Sequence, residues 1–142
     1  MDIYGPVDDE IYFDRLLKLR EELELTDRVN FKGNLDNRKL LDKYNLYSAL
    51  IVSSKVEGIS MAMIEAMGCG VPVLFSKGVA NKDLLVKYFP NLFVNDWDNN
   101  VESVKSLTQG YSEYTSETRR FFEVNYSRES VHYIFRDILK GL

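Results

Sequence analysis

The stretch from residue 49 to residue 76 allows few folds. Two short uncharged runs, Ala49–Val52 and Pro72–Phe75, bracket an apolar segment that ends in Gly68-Cys69-Gly70. Such runs read as strands buried on both faces of a parallel sheet. The segment between them, about Ser60 to Met67, reads as a short helix that the glycines stop. A strand, a helix and a strand in that order argue an α/β fold.

The rest of the chain keeps the alternation. Asp2-Ile3-Tyr4-Gly5-Pro6 reads as the end of a strand entering a turn. Tyr12, Leu16, Leu19 and Leu23 then mark one face of a helix over about Asp9 to Glu24. Val29–Gly33 alternates as a strand, and Asp36 is placed to cap a helix running to about Tyr44. Further helices are predicted over 81–88 and 98–107, with a strand at 92–94 between them. In the helical tail Ser127 is the predicted cap, followed by Val131, Ile134, Phe135, Ile138, Leu139 and Leu142 at spacings of three and four. The expectation is one domain, 1–142, with a Rossmann-like parallel sheet and helices on both faces.

Composition removes several function classes. A net charge of −4 gives no support to a nucleic-acid partner, which needs a basic surface. One cysteine, Cys69, allows no intramolecular disulfide and fits a reducing compartment. One histidine, His132, leaves His-based metal sites and triads almost nothing to build on. No apolar run approaches the roughly 20 residues of a membrane span, and no signal-peptide pattern precedes the first helix.

Glu65 is the only charge between Ile59 and Ser76. A carboxylate among apolar neighbours is costly unless something hydrogen-bonds to it. The amides of Ile59, Ser60 and Met61 lie at a helix N-terminus, which suits an anion. With Glu57 in the preceding loop, the set suits a ligand bearing hydroxyls at both ends and phosphate in the middle, as a nucleotide-sugar does. The plainer readings are a Glu65 paired with a lysine or arginine and a solvated Glu57. Met61, Met63 and Met67 read as core filler, Cys69 as a packed side chain, and Lys77, Lys82 and Arg28 as solvated. The aromatic residues of the tail, Tyr111 to Phe135, read as packing groups.

Glu57-Gly58-Ile59-Ser60, followed by Met63-Ile64-Glu65-Ala66-Met67-Gly68-Cys69-Gly70-Val71-Pro72-Val73, resembles the donor-binding signature of family 4 glycosyltransferases. These are retaining, nucleotide-sugar-dependent enzymes of the two-Rossmann-domain (GT-B) architecture. Their two glutamates, with seven residues between them, match Glu57 and Glu65, and Val29–Gly33, the Tyr44 region and Ser53-Ser54 stand where the family has further elements. The resemblance implies that Glu65 binds the ribose hydroxyls and that Glu57, the catalytic candidate, lies at the transferred sugar. It also implies that Gly58, Ile59, Ser60 and Met61 hold the pyrophosphate and that Asn34 approaches the nucleobase. No metal or cofactor is implied; the UDP- or GDP-sugar donor is the substrate. Against the family pattern the chain lacks the first strand of the second domain, with its Gly-Arg and Lys, and the N-terminal acceptor domain. The sheet would then either close up or keep an edge that invites a homodimer. The implied setting is bacterial surface-polysaccharide synthesis, in the cytoplasm or peripherally at the inner face of the membrane. The alternative is a non-catalytic interaction module that keeps the fold.

Overall fold

The computed structural model describes residues 1–58, 60–97 and 100–132. They divide into two units, Met1–Leu40 and Leu41–Leu142, with the division inside helix α2 (Asn37–Tyr44).

The first unit holds β1 (Asp2–Tyr4), α1 (Glu10–Glu22) and β2 (Asn30–Gly33). The short carboxylate of Asp9 accepts from the Tyr12 N–H at 2.9 Å and so caps α1. β1 and β2 pair in parallel, Asp2 with Asn30 and Ile3 with Phe31. The Phe13 ring meets Phe31 edge-on at 5.1 Å, with the Arg20 guanidinium 5.7 Å from the centre of the Phe31 ring. No residue of α1 is buried. The expected apolar face is left partly open, Tyr12 at 57% and Leu23 at 56% exposure.

The second unit runs β3 (Leu50–Val52), α3 (Met61–Gly68), β4 (Val73–Ser76), α4 (Lys82–Tyr88), β5 (Phe93–Val94), α5 (Val101–Gln109) and α6 (Tyr111–Asn125). Its sheet has the order β3-β4-β5 and is wholly parallel. All four residues of the central strand β4 are buried, as its uncharged sequence predicts. β3 corrects the expectation that Ala49–Val52 is buried on both faces. It is an edge strand; Ile51 is 44% exposed and only Val52 of the three is buried. Among the described residues the strands thus form two separate sheets, β1-β2 and β3-β4-β5.

Met63, Ala66 and Met67 lie three and four apart on α3 and are buried with Phe75, Leu85, Phe89, Leu92 and Val94. Met61 falls out of that phase. It is 61% exposed, so the reading of it as core filler is wrong. α3 ends in a Schellman motif: the Gly70 N–H donates to Met67 O and the Val71 N–H to Ala66 O, both at 2.9 Å. Gly70 has φ +76, a conformation that glycine adopts without a Cβ clash.

The tail helix begins where the sequence places its cap, since Ser127 Oγ accepts from the Ser130 N–H at 3.1 Å. Tyr133, Ile134, Phe135, Ile138, Leu139 and Leu142 lie outside the described residues, as does Asp98. Among the described residues no helix is long and apolar enough to cross a membrane.

Candidate donor site

Parallel strands expose their carboxyl ends together, and loops from such ends carry sites in α/β folds. β3 and β4 are parallel neighbours, so the loop carrying Glu57 and the loop after Ser76 leave the sheet at the same end.

The Glu57 loop is anchored to its neighbour as a short continuation of the sheet. The Glu57 N–H donates to Gly78 O at 2.8 Å, and the Ala80 N–H donates to Glu57 O at 3.0 Å. Ser54 Oγ donates to Glu57 Oε2 at 3.0 Å, holding one carboxylate oxygen. The Ser76 hydroxyl, buried at the end of β4, donates to Ser54 O at 2.8 Å. Glu57 itself is half-buried and Gly58 exposed. Ile59 lies outside the described residues.

Ser60 is the N-cap of α3, with extended backbone and no hydrogen bond from its side chain to the helix. The Ile64 N–H makes the first intrahelical bond, to Ser60 O at 3.1 Å. Helix geometry therefore places the end amides at Ser60, Met61, Ala62 and Met63. The sequence reading named the first two of these and missed Ala62 and Met63.

Glu65 follows in the second turn of α3, half-buried. Its Oε2 accepts from the Tyr44 hydroxyl at 3.2 Å. Among the described residues no lysine or arginine pairs with Glu65. Tyr44 is 6% exposed at the end of α2. Burial, then the Glu65 charge, then the hydrogen bond to it push the phenol well above its ordinary range, so Tyr44 remains a donor. Cys69, one turn on, is a half-buried thiol that burial pushes up, with Arg119 opposing. The sequence places Tyr44 at the end of a helix, and nothing in it ties the hydroxyl to Glu65.

This geometry predicts a pH effect. A phenol whose folded pKa is raised contributes stability that is fully present below its unfolded value, about 10. That contribution is lost as pH rises through the folded value. Tyr44→Phe should therefore flatten the alkaline fall of thermal stability above about pH 10. At neutral pH it should cost about 1 kcal/mol, since 3.2 Å is long for a hydroxyl–carboxylate bond. Melting followed by circular dichroism across pH reads both effects. An alkaline limb identical to that of the unsubstituted chain would refute the coupling.

Asn34 belongs to the first unit, directly after β2. That unit has its own hollow of about 360 Å³ at the carboxyl ends of β1 and β2, lined in part by Tyr4, Tyr12, Phe13 and Phe31. Among the described residues no three His, Cys, Asp or Glu side chains cluster to hold a metal ion.

The chain is similar to known proteins over most of its length. It is 29% identical over 99 residues, 70% of this chain, to the UDP-N-acetylglucosamine–peptide N-acetylglucosaminyltransferase GtfA subunit of Streptococcus gordonii. It spans only 17% of that relative's length. Its fold superposes on sucrose-phosphate synthase of Thermosynechococcus elongatus with a TM-score of 0.77 at 21% identity, covering 99% of this chain and 39% of that one. On Anabaena HepE, solved in complex with UDP-glucose, the TM-score is 0.79 at 17% identity, covering 99% and 40%. Both neighbours share the α/β architecture of parallel strands flanked by helices. The model of one family, glycosyl transferases group 1, matches residues 1–122, and the chain belongs to that family.

Proposed function

We propose that the chain is the donor-binding part of a retaining glycosyltransferase that uses a UDP- or GDP-sugar. The observation that carries this reading is the state of Glu65. A half-buried carboxylate held on one oxygen by the Tyr44 hydroxyl has a second oxygen able to accept from a ligand's donors, and a ribose diol supplies two. The α3 amides from Ser60 to Met63 suit the pyrophosphate, where leaving-group charge develops. Gly58 and Ile59 lead into that end. Glu57 suits a sugar hydroxyl and the cationic transition state; Asn34 is the residue proposed for the base. The donor is the substrate and no metal is required by this scheme. UDP-glucose in HepE supports a nucleotide-sugar ligand, and membership of the family supports transferase chemistry.

Acceptor binding and turnover belong to a longer protein, for which assembly of a bacterial surface polysaccharide at the cytoplasmic side of the membrane is the setting we infer. A cleft needs both walls to position reactants and exclude water. The chain alone should bind donor weakly and transfer nothing. The alternative, a non-catalytic interaction module, would need the tail aromatics as a partner surface and is less well supported. Phe121 is buried and packs on Tyr126 at 5.9 Å.

Calorimetry with UDP and 2′-deoxy-UDP tests the Glu65 role. Removing a hydrogen bond to a charged group is worth about 2 kcal/mol. Glu65→Ala should therefore weaken UDP roughly 30-fold and abolish the preference for the ribose form. Equal affinity in the two proteins would end the ribose assignment. Sugar transfer by the isolated chain would contradict the division of labour.

A further inference from the structure

β4 reads Val-Leu-Phe-Ser, and its last residue is the one hydroxyl on an otherwise apolar, wholly buried strand. A buried hydroxyl there is costly unless it is satisfied. Ser76 is 5% exposed; it donates to Ser54 O at 2.8 Å and accepts from the Gly78 N–H at 3.4 Å. Both partners belong to the surroundings of Glu57. Ser54 holds the Glu57 carboxylate through its own hydroxyl, and Gly78 O accepts from the Glu57 N–H. The contacts close a ring: Gly78 to Ser76, Ser76 to Ser54, Ser54 to the Glu57 side chain, and Glu57 back to Gly78.

Inside the ring the two loops approach as closely as backbones can. A Cβ on Gly78 would lie 2.0 Å from Ser54 O and 2.6 Å from the Lys55 carbonyl. The Glu57 carboxylate is thus held by the Ser54 hydroxyl, and the Ser54 carbonyl is tied to β4 by the Ser76 hydroxyl. We propose that Ser76 is a positioning residue for Glu57, acting through Ser54, and that it governs recognition of the sugar half of the donor. This rests on the reading of Glu57 as the sugar-side carboxylate.

The chemistry predicts a selective effect. Ser76→Ala deletes the donor to Ser54 O and the acceptor for Gly78, while α3, Tyr44 and Glu65 keep their contacts. The test is calorimetry of the whole chain with UDP and with UDP-glucose. The expected result is UDP affinity within twofold of the unsubstituted chain and a loss of about fivefold or more in the additional affinity contributed by glucose. Ser76→Thr, which keeps the hydroxyl, should restore it. Hydrogen exchange gives a second readout: the Glu57 and Ala80 amides should exchange faster in Ser76→Ala, with the α3 amides unchanged. If UDP and UDP-glucose weaken in proportion, or the sugar contribution is unchanged, Ser76 has no positioning role. If the unsubstituted chain binds neither compound, the donor-site reading fails and takes this proposal with it. Binding that disappears in Glu65→Ala but shows no change in Ser76→Ala overturns this proposal alone.

Discussion

Gly78→Ala should destabilise the chain by about 3 kcal/mol or more, the largest effect of any single methyl group added here. The new Cβ would meet backbone at 2.0 and 2.6 Å, and backbone cannot rotate aside as a side-chain tip can. Relief requires the 54–57 loop to move off β4, breaking the Glu57–Gly78 and Ala80–Glu57 hydrogen bonds. Gly58→Ala is the matched control. Its Cβ meets nothing within 4 Å, so its stability should stay within about 0.5 kcal/mol of the original. Chemical denaturation of the two variants separates a crowded glycine from an open one. A Gly78→Ala variant as stable as Gly58→Ala would show that the two loops are not packed as described.

Phe121→Ala should cost about 3–5 kcal/mol. Phe121 is 3% exposed and stands at the centre of an aromatic group, edge-on to Tyr88 at 4.9 Å, Phe89 at 5.3 Å and Tyr126 at 5.9 Å. Removing it leaves a cavity among three rings that cannot collapse without moving α4 or α6. Its neighbour Phe122 packs where a Cβ on Gly68 would be 3.2 Å away, so α6 also lies against the end of α3. Loss of Phe121 should therefore loosen the helix that carries Glu65, although the two residues do not touch. Thermal unfolding should shift down by 10 °C or more, at roughly 3–5 °C per kcal/mol for a chain of this size. A shift of only one or two degrees would place the cluster outside the cooperative core.

Much of this was legible in the residues. β4, α3 and the Ser127 cap follow from local rules: an uncharged run, an apolar period of three and four, a serine before a helix. The glycosyltransferase signature was legible because both glutamates and the glycines that shape their loop lie within one short stretch. Burial was less legible. Ile51 has the sequence of an inner-strand residue but sits on an edge, and Met61 is apolar but points outward because it lies on the face of α3 opposite Met63.

The sequence by itself determined which elements form and which carboxylates lie before and within α3, because capping, periodicity and glycine placement act over a few residues. Tertiary structure alone decided how those carboxylates are held. Tyr44 is 21 residues from Glu65, and Ser76 is 22 from Ser54. A hydrogen bond across that separation exists only when parallel strands and a packed helix bring the partners within 3.2 Å or less, and no local pattern records it.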